Sequence, residues 1–149
     1  MKVEKELSSF SDFQISSLLH SLGTELALSK VIDADQVVRA AKAAYLAEKL
    51  PKLVEEGHFI ILFSQWTLIL DILEVLVGDY LSLSYLRLDG STPVAERQDL
   101  VDAFNRGTCP IFLLSTRAGG LGLNLTRADT VIIHVGPTCL FLCALYIYV

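Results

Sequence analysis

The stretch Ile111-Phe-Leu-Leu-Ser-Thr-Arg-Ala-Gly-Gly-Leu-Gly-Leu-Asn-Leu-Thr126 decides how the rest of the chain is interpreted. Its apolar beginning, residues 111–114, is typical of a buried β-strand. A small polar pair and an arginine follow, and then come three closely spaced glycines, Gly119, Gly120 and Gly122. A strand that enters a Gly-rich turn lets backbone N–H groups approach a ligand. The pattern therefore favours a ligand-facing loop, but a tight turn into a short helix capped by Asn124 explains the same spacing.

Composition restricts the class of protein. The 149 residues are enough for one domain with a hydrophobic core, and the formal net charge of −5 gives no overall attraction to nucleic acid. Residues 104–134, however, carry three arginines and one aspartate. The three cysteines and three histidines are scattered, so neither a disulfide framework nor a zinc site is expected. No secretory signal begins the chain and the apolar run 140–149 is short for a bilayer, so we expect an intracellular, reducing compartment.

Strand and helix patterns alternate along most of the sequence. Strands are predicted at 59–63, 85–88, 111–114 and 130–133, with helices at 66–77 and from Thr92-Pro93 to Arg106. Helices are also predicted before Gly23 and from about residue 33, where Pro51 kinks the helix or starts a turn that ends at Gly57. Strands joined by helices of this length pair in parallel. The sequence thus predicts an α/β fold with a parallel sheet of about four strands.

The same patterns predict which side of each helix is buried. In the helix near residue 33, the predicted inner side consists of Val37, Val38, Ala41, Ala44 and Ala47. In the helix that ends at Arg106 it consists of Val94, Leu100, Val101 and Phe104. Trp66 is interpreted as a core residue, Asp71 and Glu74 as a solvent-facing stripe, and Arg87 and Arg127 as solvated surface charges.

Polar residues follow three of the predicted strands. These sets are Ser64-Gln65, Asp89-Gly90-Ser91-Thr92 and Ser115-Thr116-Arg117. Because ligands bind beyond the carboxyl ends of parallel strands, we expect the sets to converge at one edge. Two interpretations remain open: the residues form turns and helix caps, with Thr92 capping the next helix, or their hydroxyl and N–H groups bind phosphate.

Several chemistries are excluded by motif. No glycine precedes a lysine, so there is no Walker A motif, and Leu125 stands where the dinucleotide-binding Gly-x-Gly-x-x-Gly needs its third glycine. No arrangement of nucleophile and histidine can be argued, and the histidines are interpreted as surface or strand-end residues. A small dinucleotide enzyme is therefore disfavoured.

The ordered motifs resemble a known family. They are Phe-Ser-Gln-Trp-Thr (63–67), Leu-Asp-Ile-Leu-Glu (70–74), Tyr-Leu-Arg-Leu-Asp-Gly-Ser-Thr (85–92), residues 113–126 of the opening stretch, and Ala-Asp-Thr-Val-Ile-Ile-His (128–134). Together they resemble the second RecA-like lobe of SWI/SNF-type chromatin-remodelling translocases, which are double-stranded-DNA-dependent ATPases. Residues 6–15 and 46–51 resemble the inter-lobe region of the single-subunit branch linked to heterochromatin maintenance and DNA-end resection.

The resemblance implies a nuclear motor that closes two lobes over ATP and magnesium while it grips DNA in nucleosomes. The first lobe would bring the P-loop, and this lobe would border the nucleotide through Gly119, Gly120, Gly122 and Asn124. The residues implied to lie along the DNA backbone are Ser64, Gln65, Gly90, Ser91, Thr92, Ser115, Thr116 and Arg117. Such contacts position a protein on DNA without reading its sequence.

The sequence departs from the family pattern at Val135. There the family continues towards a Gln-x-x-x-Arg-x-x-Arg segment with an arginine finger, whereas this chain has an uncharged apolar run. We therefore expect a helical inter-lobe segment at 1–32, an incomplete second lobe at 33–134 and a non-homologous tail at 135–149. The chain alone is expected not to hydrolyse ATP, and the alternative is a non-catalytic fragment that binds DNA or a partner.

Overall fold

The computed structural model describes residues 34–120 and 122–134. The helical segment predicted at 1–32 and the tail predicted at 135–149 lie outside the described residues. Within this part of the chain, no helix is long and apolar enough to cross a membrane.

Helices and strands alternate in the order that the sequence predicts. The strands are β1 (Ile60–Ser64), β2 (Tyr85–Leu88), β3 (Ile111–Ser115) and β4 (Thr130–His134). The helices are α1 (Ala34–Val37), α2 (Ala41–Glu55), α3 (Thr67–Glu74), α4 (Val94–Asn105) and α5 (Thr116–Gly119), and a π-helical segment, Val75–Tyr80, continues α3.

The four strands form one parallel sheet in the order β2-β3-β1-β4. The predicted α/β fold with a four-strand parallel core is confirmed. The strands lie within one residue of their predicted positions, because each is a short apolar run bounded by polar or turn residues. The central strands β1 and β3 are the most apolar, as expected for strands covered on both faces.

Side chains alternate between two cores on the two faces of the sheet. On β1, Ile60 and Leu62 pack with α2, α3 and the π-helical segment, whereas Ile61 faces the opposite core. Phe104 of α4 packs in that second core against Phe112 of β3, with ring centroids 5.2 Å apart. The chain is thus layered helix–sheet–helix, and this arrangement leaves the ends of the strands accessible.

The helix before β1 differs from its prediction. Pro51 lies inside a continuous α2 rather than at a break, and the chain is interrupted earlier, between Val37 and Ala41. The buried residues of α2 are Ala43, Leu46, Leu50 and Leu53. Ala47 packs partly buried against the same core as predicted, but Ala41 and Ala44 are exposed, so the predicted inner side is wrong at these two positions. A leucine buries more apolar surface than an alanine, so the leucine stripe sets the rotation of the helix. Gly57 ends the helix as predicted, with φ of +88°.

Two residues predicted to be buried are exposed. Trp66 is 56% exposed at the position before α3, and Val94 is 80% exposed at the start of α4, so both predictions are wrong. Each residue lies in the first turn or cap of its helix, where the chain is still leaving the sheet edge. Hydrophobic periodicity does not predict this exposure, because it treats residues at the end of a helix in the same way as residues in its middle.

Candidate nucleic-acid interface

The sheet register brings the polar strand ends to one level. Ser64 of β1 is the partner of Ser115 on β3 and of His134 on β4, and Leu88 of β2 is the partner of Leu114. Asp89, which follows Leu88, therefore lies at the same edge. The predicted convergence of the three polar sets is confirmed, and β4 ends with His134 at the same level.

A short helix begins directly after β3. The Ser115 hydroxyl accepts a hydrogen bond from the Ala118 N–H (3.2 Å) and thereby caps α5. Ser115 is buried, whereas Thr116 and Arg117 are exposed. The short helix thus precedes the last glycines, and the predicted helix that starts at Asn124 is wrong because residues 123–125 are irregular and 126–127 form a turn.

The three glycines of the loop have different structural roles. A Cβ on Gly119 would lie 2.6 Å from Cε1 of Phe63 and 3.3 Å from Cδ2 of Leu114, so this glycine permits close packing of α5 on the sheet. Gly120 has an ordinary φ of −66° and caps the helix. Gly122 is exposed with φ of +71°, a conformation that glycine adopts readily. Spacing alone does not distinguish these roles.

Asn105 anchors the segment after the glycines. Its side-chain amide donates to the Asn124 carbonyl (2.8 Å), and its Oδ1 accepts from the Arg127 N–H (3.3 Å). The Arg127 guanidinium lies 4.5 Å from the centre of the Phe59 ring. Arg127 is exposed as predicted, but it stacks on an aromatic face rather than only meeting solvent. Asn105 was not singled out by the sequence, since a lone asparagine at the end of a helix is unremarkable.

The segment after β1 combines a buried hydroxyl with exposed neighbours. The Ser64 hydroxyl is buried; it donates to the Trp66 carbonyl (3.2 Å) and accepts from the Trp66 N–H (3.4 Å). Gln65 and Trp66 are exposed beside it. Ser64 therefore shapes the entry to α3, and Gln65 is the accessible polar side chain of the pair.

Asp89 organises the turn after β2. Its Oδ1 accepts from the Ser91 N–H (2.8 Å) and the Ser91 hydroxyl (2.5 Å), and the Asp89 N–H donates to Oγ1 of Thr92 (3.1 Å). Pro93, not Thr92, occupies the cap position of α4, so the predicted Thr92 cap is wrong. The Thr92 hydroxyl serves the preceding turn instead, while Gly90 and Ser91 are exposed.

Arg87 is the largest departure from the predicted site. Its side chain is only 22% exposed and forms ion pairs with Asp71 (2.7 Å), Glu74 and Asp89 (2.7 Å). The predictions of Arg87 as a solvated charge and of Asp71 and Glu74 as a solvent-facing stripe are therefore wrong. An i, i+3 acidic pair on a helix, followed by Arg-x-Asp on the next strand, is the signal that could have revealed the cluster.

Two pKa shifts show how this cluster is balanced. Burial by itself lowers the pKa of Arg87, but hydrogen bonds to Asp89 and Asp71 and the charge of Glu74 outweigh it, so the net pKa is raised. Burial likewise tends to raise the pKa of Asp89, but hydrogen bonds from Ser91 and Arg87 lower it overall. Both groups are therefore charged at neutral pH.

His134 lies beside an apolar cavity rather than in the polar set. Its Nδ1 is buried and has no hydrogen-bond partner among the described residues, and burial lowers the pKa of the ring, followed by the nearby positive charge of Lys42. A cavity of about 280 Å³ is lined by α1, α2 and α3 together with His134. None of the residues predicted to contact DNA or nucleotide lines it, and its apolar wall does not suit phosphate.

The accessible groups at the edge are hydrogen-bond donors of the kind that phosphate oxygens accept. They comprise a guanidinium, an amide, hydroxyls and turn N–H groups, and they lie in irregular segments or first helical turns. Gly122 and Asn124 are exposed after the short helix. In the described part of the chain, no group of three or more His, Cys, Asp or Glu is placed to hold a metal ion, so these residues do not fit a magnesium site of their own.

The family model of the helicase conserved C-terminal domain matches residues 41–142. The chain belongs to the helicase conserved C-terminal domain family. A solved structure described as the C-terminal part of the Fun30 ATPase domain is similar to it, with a TM-score of 0.71 and 36% identity over 89% of this chain and 43% of that one. The RecA-like fold implied by the resemblance is confirmed.

Curated relatives of this helicase C-terminal lobe include proteins named as SWI/SNF-related regulators of chromatin, which confirms the predicted resemblance. Protein CHROMATIN REMODELING 19 of Arabidopsis thaliana is 50% identical over 135 residues, which cover 89% of this chain and 17% of the relative. ATP-dependent helicase fft2 of Schizosaccharomyces pombe is 44% identical over 133 residues, covering 89% of this chain and 10% of the relative. The chain thus spans less than a fifth of the length of these relatives.

Proposed function

We propose that this helicase C-terminal lobe holds the sugar-phosphate backbone of double-stranded DNA in a nuclear, ATP-dependent chromatin-remodelling translocase. The observation that carries the proposal is the register of the parallel strands. It pairs Ser64 with Ser115 and places Asp89, which follows the end of β2, at the same edge of the sheet. Three segments of donor groups at one edge can follow a DNA strand at successive phosphates. Membership of the helicase family and similarity to SWI/SNF-related proteins support the same assignment.

The contacts divide between exposed and buried residues. Thr116, Arg117, Gln65 and Gly90 are exposed and would meet phosphate oxygens directly. Ser91 is exposed too, but its N–H and hydroxyl both donate to Asp89, so it would shape the turn rather than bind phosphate. The buried hydroxyls of Ser64 and Ser115 hold the turns that carry these residues, and Thr92 does so in part. This division refines the set of DNA-contacting residues implied by the resemblance.

Nucleotide binding is proposed as a shared task. Gly119, Gly120, Gly122 and Asn124 would form one wall of a cleft for ATP, and a first RecA-like lobe would hold the phosphates and the magnesium ion. The sequence contains neither a Walker A motif nor a Gln-x-x-x-Arg-x-x-Arg segment. An arginine finger contributes about 10³–10⁵ to the rate of related phosphoryl transfers. We therefore propose that the chain alone binds DNA or a partner without turning over ATP.

The proposal is tested by binding of the 149-residue chain to a fluorescent duplex. Thr116→Ala combined with Arg117→Ala removes one hydroxyl and one charge at the carboxyl end of β3. Thr108→Ala combined with Arg106→Ala removes the same groups before its amino end, where both residues are exposed. We expect the first pair to weaken duplex binding and to lower the slope of log Kd against log[salt] by about one, because one phosphate contact is lost, and the second pair to change neither.

Two results would contradict the proposal. Equal loss of affinity in both double variants would mean that only net charge matters, and absence of any binding by the unmodified chain would remove DNA as a partner. ATP turnover is measured in the same samples with and without DNA. Turnover that exceeds a matched preparation lacking the chain would overturn the non-catalytic assignment.

A further inference from the structure

We propose that Arg87 and Asp89 form a positioning pair that presents the turn Gly90–Thr92 to the DNA backbone. The inference deepens the proposed function and rests on it. Neither residue is itself a DNA contact in this proposal. The pair sets which atoms of the turn remain free to donate hydrogen bonds, and it keeps a carboxylate charge away from the phosphates.

The two oxygens of Asp89 have separate partners. Oδ2 accepts from Nε (2.9 Å) and Nη2 (2.7 Å) of Arg87, and Oδ1 accepts from the Ser91 N–H and hydroxyl. The side chain of Asp89 is 3% exposed. Because the guanidinium is a planar fork that holds one carboxylate oxygen with two donors, it fixes the orientation of the whole carboxylate and, through it, of Ser91.

The hydrogen-bond pattern also orients the Thr92 hydroxyl. Its oxygen accepts from the Asp89 N–H at 3.1 Å, so its own hydrogen must point away from that amide. The Arg97 side chain donates to the Thr92 carbonyl (3.0 Å) and holds the other side of the turn. Among the residues that the structure describes, none accepts a hydrogen bond from the Gly90 N–H or the Thr92 O–H, and phosphate oxygens can only accept. The turn is therefore arranged as a donor site.

Arg87 offsets the carboxylate charge at the base of the turn. An unpaired carboxylate at the base of the turn would repel DNA, but Arg87 lies against it and also meets Asp71 and Glu74 on α3. These contacts tie the edge strand to the helix that packs on it. The turn is thus fixed by contacts to α3 as well as by hydrogen bonds among its own residues.

Asp89→Asn and Asp71→Asn form a charge-matched test, since each removes one negative charge that faces Arg87. In Asp71→Asn the guanidinium keeps Glu74 and Asp89 as partners, so the turn stays in place. We expect Asp89→Asn to weaken binding of the 149-residue chain to a fluorescent duplex by about tenfold, as for loss of one or two well-placed hydrogen bonds, although the chain becomes less acidic. Asp71→Asn should bind within about twofold of the unmodified chain.

A double-mutant cycle separates positioning from general destabilisation. If the Asp89 carboxylate positions the turn that carries the Thr92 hydroxyl, Asp89→Asn has much less effect on affinity in a Thr92→Val background than in the unmodified chain. A loss of fold stability would instead weaken binding by the same factor in both backgrounds. Thermal unfolding is followed for every variant.

Arg87→Lys provides the second variant, because it keeps the charge and removes the planar fork. This variant tests the inference if Asp89→Asn does not fold. We expect its affinity for the duplex to fall several-fold although its net charge is unchanged. Binding of Arg87→Lys and Asp89→Asn equal to that of the unmodified chain overturns the inference. So does an equal loss in Asp71→Asn, which would mean that the cluster only fastens α3. Absence of binding by the unmodified chain overturns the proposed function first, and this inference with it.

Discussion

At the scale of single residues, the three glycines of the loop show what a motif conceals. In the sequence they form one Gly-rich element, but only Gly119 is held by packing, against Phe63 and Leu114. Gly122 is defined by its positive φ, and Gly120 by neither constraint. Their separate roles depend on atoms from other strands, so no local pattern could have assigned them.

Gly119→Ala and Gly120→Ala test this difference with the same chemical change. At position 119 the new methyl group would lie 2.6 Å from the Phe63 ring, so the ring must shift. Overpacking of this kind lowers the free energy of unfolding by about 1–3 kcal/mol. At position 120 the nearest atoms are carbonyl oxygens at 3.5 and 3.7 Å, and we expect a change within about 0.5 kcal/mol. Urea unfolding measures both, and equal stabilities would contradict the packing role.

Residue type predicts the wrong environment for Arg87 and for Trp66, for opposite reasons. An arginine is expected in solvent, but the acidic pair Asp71 and Glu74 on α3 holds the Arg87 side chain. A tryptophan is expected in the core, but Trp66 stands before the first turn of α3. Burial at such positions is decided by the neighbouring element, which one sequence does not display.

At the scale of elements, α5 illustrates how a strand end becomes a functional edge. Ser115 is both the last residue of β3 and the cap of the helix, so the chain turns without a connecting loop. The exposed Thr116 and Arg117 then follow at the start of the helix. The strand and its polar end were predictable from composition, whereas the immediate helix was not, because glycines argue against one.

Ser115→Ala and Thr116→Ala separate the cap from the surface. Removal of the Ser115 hydroxyl leaves the Ala118 N–H without its acceptor, and loss of such a cap lowers the free energy of unfolding by about 0.5–2 kcal/mol. Thr116 is exposed, so we expect Thr116→Ala to leave stability unchanged while weakening duplex binding. Chemical unfolding and fluorescence anisotropy on the same samples distinguish the two effects. A destabilised Thr116→Ala with an unaffected Ser115→Ala would reverse the assignment.

At the scale of the whole molecule, the parallel sheet could be predicted but its order could not. Apolar runs separated by helices imply parallel pairing, and their polar ends imply a shared edge. The order β2-β3-β1-β4 depends on which apolar runs are covered on both faces. In the sequence, β1 and β3 are only slightly more apolar than the outer strands, so the order does not follow from it. The position of His134 at the edge follows from that order.

His134 makes the stability of the lobe sensitive to mild acid. An unfolded histidine gains its proton near pH 6.5, and the folded site gains it only at lower pH because burial lowers its pKa. Below about pH 6.5 the unfolded chain therefore binds more protons, and the free energy of unfolding falls as pH decreases. The lowered pKa of Asp89 acts only in stronger acid, since its contribution is complete above about pH 3.9.

His134→Asn should remove this dependence. We expect the urea midpoint of the unmodified chain to fall between pH 7.5 and pH 5.5, and that of the variant to fall less. An identical decrease in both proteins would show that another group is responsible. Comparison within one buffer series keeps ionic strength constant.

The position of β1 at the centre of the sheet has a consequence for synthesis on the ribosome. Its strand partners are β3 and β4, and Ile60 pairs with Ile111, so this strand, the first of the four described, has no strand partner until about 50 further residues have followed. At about 5–20 residues per second, this interval lasts roughly 3 to 10 s. During this interval the apolar strand β1 lacks its strand partners, and of the described elements α2 and α3 are available to cover it against aggregation. Translation speed across residues 65–110 is therefore a determinant of how much of the nascent chain reaches this fold.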